Sequence, residues 1–109
     1  MAYDEELAAR VREVLGRRRG ISEKKMFGGL AFMVNGHMAC GVQGDDLMVR
    51  VGPDDYEAAL KKTGARPMDF TGRPLRGMVY VDPRGHRRAP SLRAWVEKGL
   101  SYVRSLPPK

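Results

Sequence analysis

The stretch KKMFGGLAFMVNGHMACGV, residues 24–42, concentrates the residue types that could do chemistry. Gly28 and Gly29 could cradle a phosphate, because a glycine-rich loop can present backbone N–H groups to an anion. His37 and Cys40, which is the only cysteine of the chain, could hold a metal ion or form a nucleophile and its base. An ordinary β-hairpin is the competing interpretation, and the elements that position these residues decide between the two.

The pair Asn35-Gly36 separates two apolar runs and is the strongest short signal for a β-hairpin, because both central residues of a type I′ turn need positive φ. In the regular ladder that follows from this turn, Phe32 pairs with Ala39. His37 and Cys40 are three residues apart on one strand, so their side chains point to opposite faces unless a bulge intervenes. The spacing therefore argues against a shared metal ion or a catalytic pair.

The glycine pair Gly28 and Gly29 precedes a predicted strand, whereas a phosphate-binding loop opens a helix whose amino end supplies N–H groups and a dipole. The stretch also lacks the GxGxxG and GK[ST] patterns. We interpret the pair as a kink or bulge that joins KKMF to LAFMV. One cysteine and two histidines cannot supply a four-ligand Cys/His site, so neither a metal nor a cofactor is expected.

Length and charge set wider bounds. A chain of 109 residues has the length of one domain, so a single domain over residues 1–109 is expected. The net charge of +7 is uneven: residues 1–55 carry 8 basic and 9 acidic side chains, and residues 56–109 carry 12 and 4. The basic half could attract nucleic acid, an anionic membrane or an acidic partner, or it could simply be a solvated surface.

The amino terminus has no continuous apolar run, so no signal peptide or membrane span is predicted, and a cytoplasmic location is expected.

Hydrophobic spacing predicts the elements. They are a helix over residues 4–18, two hairpin strands, a third strand in LMVRV, a short helix in GPDDYEAALKKTG, a strand in MVYV and a closing helix over residues 91–106. The order α-β-β-β-α-β-α predicts a two-layer α+β fold, with an antiparallel sheet that carries the helices on one face. DPRG is a predicted turn, and residues 65–77 are predicted to be a long ordered loop or a short edge strand.

Two clusters of basic residues are candidate surface sites. The loop cluster could bind a phosphate or carboxylate through its guanidinium groups, and it comprises Lys24, Lys25, Arg66, Asp69, Thr71, Arg73 and Arg76. The turn cluster is a candidate for nucleic-acid binding, and it comprises Arg84, Arg87 and Arg88, beside His86, which is expected to be solvated. Each cluster could also be a set of solvated charges.

Methionine is frequent, with seven residues in the chain, and four of them lie in or beside the predicted strands: Met26, Met33, Met38 and Met48. Because the methionine side chain is flexible and polarizable, they could form an adaptable apolar surface for a partner. The alternative is a methionine-rich core. Trp95 is expected in the core or in a dimer interface.

Four stretches carry a resemblance to a known family: residues 24–42, LMVRVGPDDYEAAL, GARPMDFTGRPLRGMVYV and LRAWVEKGLSYVRSLPPK. In this order they cover nearly the whole chain, and they resemble the amino-terminal domain of the TfoX/Sxy competence regulators. The resemblance implies a two-layer α+β domain similar to small secretion chaperones, often dimeric, with no known catalytic residues. In those regulators a second, helical domain follows and the protein works with a transcription activator at promoters. This sequence ends after the third predicted helix, so no second domain is expected, and the resemblance extends to the amino-terminal domain of those regulators only.

Three functional hypotheses from different classes stay open at this point. The first is a non-catalytic regulatory or adaptor domain that contacts a protein partner or a second copy of itself. The second is direct binding of nucleic acid through the basic half of the chain. The third is a small-anion binder or enzyme at the loop cluster. An enzyme is not expected, because no convergent catalytic set is found in the sequence.

Overall fold

The computed structural model describes residues 3–26, 28–69, 72 and 75–107. Within these ranges lie four helices, α1 (Glu5–Leu15), α2 (Tyr56–Leu60), α3 (Pro83–His86) and α4 (Ala89–Arg104). The strands are β1 (Ile21–Met26), β2 (Gly29–Val34), β3 (His37–Gln43), β4 (Asp46–Arg50), β5 (Ala65–Pro67) and β6 (Met78–Val81). They form one sheet in the order β1-β2-β3-β4-β6-β5, and every neighbouring pair is antiparallel.

This architecture confirms the predicted α+β fold, because α1 and α4 pack on the sheet, and we call the face that they cover the helix face. The structure adds three elements to the predicted order. Strand β1 spans six residues and includes the first three residues of KKMF. Strand β5 is a short edge strand, which was one of the two structures predicted for residues 65–77. DPRG was predicted to be a turn, but its last three residues begin the short helix α3. The Asp82 side chain caps this helix by accepting a hydrogen bond from the Arg84 N–H.

Helix α1 begins where the sequence predicts and ends earlier. The Asp4 side chain accepts hydrogen bonds from the N–H groups of Glu6 and Leu7, which would otherwise lack partners. The helix ends at Leu15 because Gly16 follows with φ 61°, and its N–H donates to the carbonyl of Arg12. The predicted end near residue 18 is therefore wrong by about one turn, since Gly16 provides the left-handed residue that stops a helix.

The main core lies between the helix face and the helices. Leu7 and Val11 of α1 and Val96 and Leu100 of α4 are buried against strand residues on this face. The buried strand residues are Leu30, Phe32, Val34, Ala39, Cys40, Val42, Leu47, Val49, Val79 and Val81. Burial of one large aliphatic or aromatic side chain is worth roughly 1.5–3 kcal/mol, so this layer supplies most of the stabilisation.

Side chains that alternate to the other side of the strands form a second cluster, and we call this surface the methionine face. Its members are Met26, Ala31, Met33, Met38, Met48, Met68, Leu75, Met78 and Tyr80. Met68 and Leu75 lie between β5 and β6 in the chain, and both pack on this side of the sheet. The sheet therefore separates two apolar layers that differ in composition.

The β2–β3 hairpin has the predicted turn, with φ values of 53° at Asn35 and 86° at Gly36. The predicted register holds only next to the turn. A bulge shifts the register after Met33, so that Phe32 pairs with Cys40 and not with Ala39. The extra residue on β3 changes which face each later side chain occupies.

The bulge corrects the argument about the reactive residues. His37 pairs with Val34 and Cys40 pairs with Phe32, and both strand partners belong to the core of the helix face. The prediction that His37 and Cys40 point to opposite faces was wrong, because it assumed a ladder without a bulge. The bulged residue Ala39 lies against α4, because a Cβ placed on Gly99 would overlap the carbonyl group of Ala39.

Gly28 and Gly29 lie at the connection between β1 and β2. Met26 pairs with Gly29, which makes β1 and β2 a tight antiparallel hairpin, and Gly28 has φ 74°. The interpretation of the two glycines as a kink or bulge that joins KKMF to LAFMV was therefore wrong, because the chain reverses direction between β1 and β2. A side chain at position 29 would not fit, because a Cβ there would overlap the carbonyl oxygen of Val42.

Candidate functional site

The methionine face is buried at its centre and partly exposed around it. Ala31, Met48 and Met68 have no accessible surface, whereas Met26, Met33, Met78 and Leu75 are partly buried and keep some surface in solvent. The two interpretations of the methionines, core and adaptable surface, each describe one part of this face. The partly exposed part is an apolar surface of flexible side chains.

A polar network forms one rim of the methionine face. The Tyr80 hydroxyl donates to Oε1 of Gln43 at 2.5 Å, and Arg66 donates through both terminal nitrogens to the carboxylate of Asp46. The Arg66 guanidinium carbon also lies 4.8 Å from the centroid of the Tyr80 ring. Burial raises the pKa of Tyr80, and the hydrogen bond to Asp46 raises the pKa of Arg66. The rim ties β5 to β4 and β6 to β3.

The opposite rim is the edge strand β1. Lys24 pairs with Ala31, so its side chain is on the methionine face, whereas Lys25 pairs with Leu30 and its side chain is on the helix face. Both lysines are exposed, and within the described part of the chain neither forms an ion pair. The outer edge of β1 pairs with no other described strand.

The structure does not bring the loop cluster together. Arg66 is paired with Asp46 on the methionine face, while Arg76 lies over the ring of Tyr56, a residue of the helix-face core, and 4.0 Å from a carboxylate oxygen of Glu57. Lys24 and Lys25 point to opposite faces. Asp69 is exposed and pairs with no arginine of the described residues, and Thr71 and Arg73 lie outside those residues.

The turn cluster is also divided. Arg84 donates from Nε and Nη2 to the carboxylate of Asp82, and Arg87 and Arg88 are exposed in the link to α4. His86 is only 5% exposed, and its Nε2 donates to the carbonyl of Asp45 at 2.8 Å. The expectation that His86 is solvated was wrong, because α3 turns this residue toward the β3–β4 connection.

A cleft that the sequence does not predict lies between α2 and α4, and we call it the α2–α4 cleft. Its volume is about 250 Å³, and its walls include Lys62, Thr63, Arg84, Ser91, Trp95 and Lys98. These residues come from α2 and the turn after it, from α3 and from α4. No local sequence signal could have predicted the cleft, because only the tertiary fold brings these segments together.

Cys40 does not have the properties of a nucleophile. It is fully buried, and burial raises its pKa to about 12, so the reactive thiolate is scarce at neutral pH. Among the residues that the structure describes, no three His, Cys, Asp or Glu side chains lie together in a way that could hold a metal ion. In the same part of the chain, no helix is both long enough and apolar enough to cross a membrane.

Comparison with known protein families gives one result, which agrees with the resemblance noted in the sequence. The TfoX N-terminal domain family matches residues 13–102, which includes every strand, the helices α2 and α3, most of α4 and only the last three residues of α1. Comparisons with curated proteins and with solved structures gave no match. The match covers most of the 109 residues, and the chain therefore belongs to the TfoX N-terminal domain family.

Proposed function

We propose that this domain is a non-catalytic regulatory adaptor that binds a protein partner across its methionine face. One observation carries the proposal. Six of the seven methionines of the chain lie on the sheet face opposite α1 and α4, and Met26, Met33 and Met78 are partly exposed there. Flexible, polarizable side chains on an apolar surface can adapt to a partner, as methionine-rich binding surfaces do.

The charge and the edge of the sheet favour a partner segment that is extended, apolar and acidic. An extended segment can add to the free edge of β1 through backbone hydrogen bonds and place alternate side chains on the methionine face. Lys24 is the unpaired cation on that side of β1, so an acidic residue of the partner is its natural counterpart. A second copy of this chain is less suitable, because two molecules with a net charge of +7 repel each other.

Membership of the TfoX N-terminal domain family supports a regulatory role, because the family suggests a domain similar to that of the competence regulators. The absence of catalysis is part of the proposal. It is supported by the burial of Cys40, which keeps this thiol from acting as a nucleophile, and by the separation of Arg66 from Arg76.

The experiment is affinity purification of the tagged protein from cells that normally make it, with quantitative mass spectrometry of four variants. Met33→Glu places a charge on the methionine face, and Lys24→Glu reverses the charge at its edge. Lys25→Glu is the matched control for Lys24, since it makes the same change on the other face of the same strand. Ala9→Glu, at an exposed position of α1, is the control for Met33→Glu.

We expect one partner to be retained by the wild type and both controls, and to be reduced about tenfold or more by Met33→Glu and by Lys24→Glu, which corresponds to a single lost hot-spot contact. Thermal melts of all variants check that each one folds. Equal loss in Lys24→Glu and Lys25→Glu, or retention in Met33→Glu, would contradict the proposal. Recovery of only the protein itself would favour a homodimer in its place.

A further inference from the structure

We propose a second binding site, independent of the adaptor surface: the α2–α4 cleft binds a small organic anion that carries its carboxylate or phosphate on a flat apolar body. The cleft is on the helix face, with walls from α2, α3 and α4, so the sheet separates it from the methionine face. The cleft combines an aromatic wall with cations and hydroxyl groups, which is the chemistry that recognises such a ligand.

The wall on the α4 side follows from helical spacing. Ser91, Ala94, Trp95 and Lys98 are three or four residues apart, so they lie on the same side of α4 and face the cleft together. Trp95 is 6% exposed, and Ala94 and the α2 residue Ala58 lie beside it in the cleft wall. Small side chains next to a large aromatic side chain leave room for a flat group.

Lys62 gives the cleft a charge that no carboxylate neutralises. Its ammonium nitrogen lies 5.8 Å from the centroid of the Trp95 ring, and no acid of the described residues is paired with it. Lys98, by contrast, is 2.7 Å from a carboxylate oxygen of Asp55, which also lines the cleft. A ligand anion beside Lys62 would therefore gain a charged partner without breaking an existing ion pair.

Arg84 supplies a second cation at the mouth of the cleft. Its Nε and Nη2 donate to Asp82, while 69% of its side chain is exposed, so Nη1 can reach a ligand. The hydroxyl groups of Thr63 and Ser91 complete the polar lining. With a volume of about 250 Å³, the cleft suits one ring and one oxyanion and is smaller than the usual site for a drug-sized molecule.

Close backbone packing holds the cleft in a fixed shape. A Cβ placed on Gly85 would come within 2.5 Å of the carbonyl oxygen of Thr63 and of Cγ1 of Val81. Gly64 has φ 81°, and a Cβ placed on it would come within 2.7 Å of the backbone nitrogen of Gly85. The turn after α2 and the helix α3 therefore meet without intervening side chains, and the lining exists before a ligand arrives.

The test uses Trp95, which is the only tryptophan of the chain and so reports on this cleft alone. The full-length protein is titrated with phenyl phosphate and with benzoate, and tryptophan fluorescence and thermal stability are followed together. Benzamide is the probe without charge, and inorganic phosphate is the probe without a ring. We expect saturable binding of phenyl phosphate or benzoate, and binding at least about tenfold weaker for the other two probes.

Two neighbouring lysines provide matched variants. Lys62→Gln removes the unpaired cation of the cleft, and Lys61→Gln removes an exposed lysine that does not line it. We expect Lys62→Gln to weaken binding about tenfold and Lys61→Gln to leave it unchanged, because only Lys62 contacts the ligand. The proposal is overturned if neither charged probe binds saturably, if benzamide binds as tightly, or if the two variants behave alike. None of these results bears on the methionine face.

Discussion

His37 and His86 show how the fold uses its histidines. Each donates from Nε2 to a distant backbone carbonyl, His37 to Pro107 at 2.6 Å and His86 to Asp45 at 2.8 Å. His37 thereby fixes the segment after α4 to the start of β3, and His86 fixes α3 to the β3–β4 connection. Among the described residues, Nδ1 of each ring is buried without a hydrogen-bond partner. The two histidines therefore serve structure at the positions where the sequence suggested chemistry or solvent.

Cys40 yields a prediction at the same scale. Because burial raises its pKa to about 12, the native protein is expected to resist thiol reagents at pH 8 and to react fully once it is unfolded. The pKa of the folded state is higher than that of the unfolded thiol, so the contribution of Cys40 to stability is complete below about pH 8.5 and is lost as the pH rises above that value. Absorbance with an aromatic disulfide reagent, with and without urea, measures the reactivity. Rapid reaction of the native protein would contradict the burial of Cys40.

At the scale of elements, α4 packs closely against β3 at the bulge in the sheet. Gly99 of α4 is buried, and a Cβ there would overlap the carbonyl group of Ala39 at the bulge. The helix can approach the sheet this closely only because position 99 has no side chain. The bulge at Ala39 and the glycine at position 99 therefore together allow α4 to lie close to β3.

Gly99→Ala tests that contact through two opposing effects. Alanine favours a helix by about 1 kcal/mol over glycine, whereas an extra group in a close-packed contact costs about 1–3 kcal/mol. We expect the clash to outweigh the helix preference and to destabilise the protein by about 1 kcal/mol in urea unfolding. Ser101→Ala, an exposed position of the same helix, is the control and is expected to be neutral or slightly stabilising. A more stable Gly99→Ala protein would show that α4 does not touch the bulge.

Two ion pairs join α1 and the residues after it to other elements, and they predict a dependence on pH. Arg12 pairs with Glu23 of β1 at 2.7 Å and Arg18 pairs with Glu97 of α4 at 2.9 Å, and each hydrogen-bonded arginine lowers the pKa of its glutamate. Because the folded pKa is lower than the unfolded value of about 4.3, the stabilisation is present above that pH and is lost as the pH falls through the folded value.

Glu23→Gln with Glu97→Gln is expected to lower stability slightly at pH 6.5 and to reduce the further loss between pH 6.5 and pH 3. The effect is small because exposed ion pairs are worth about 0.2–1 kcal/mol each. Urea unfolding at both values of pH measures it, with Glu13→Gln, an exposed residue without a described ion pair, as the control. The same pH dependence in the double variant and in wild type would exclude these pairs as a cause.

The elements that the sequence predicts well are those with local signals. Asn35 and Gly36 specify their turn by backbone conformation alone, and the apolar spacing of α4 indicates its buried side. Strand β1 was not predicted, because ISEKKM is mostly polar and, among the described strands, pairs with β2 alone. The bulge at Ala39 was not predicted either, because no local sequence signal marks it, and the residue that packs against it, Gly99, lies sixty residues later in the chain.

At the scale of the whole molecule, the positions of charges depend on tertiary structure. The uneven charge was visible in the sequence, but Arg84 is paired with Asp82 and Arg66 with Asp46, and the cations of the α2–α4 cleft come from separate segments. Direct binding of nucleic acid through Arg84, Arg87 and Arg88 stays a prediction from the sequence. The sequence predicted that the methionines form either a core or a surface for a partner. Alternation along the strands indicates which side of the sheet each methionine lies on, but it does not reveal what covers that side.

The most direct test of the adaptor proposal is photo-crosslinking with a diazirine analogue of methionine, incorporated in cells that normally make the protein. Six of the seven methionines lie on the methionine face, so the label marks that surface almost exclusively. The proposal predicts a crosslink from Met26, Met33 or Met78 to an acidic segment of one other protein, and its loss in Lys24→Glu but not in Lys25→Glu. A labelled protein that crosslinks to no other protein in those cells, or one that crosslinks equally in both variants, would contradict it.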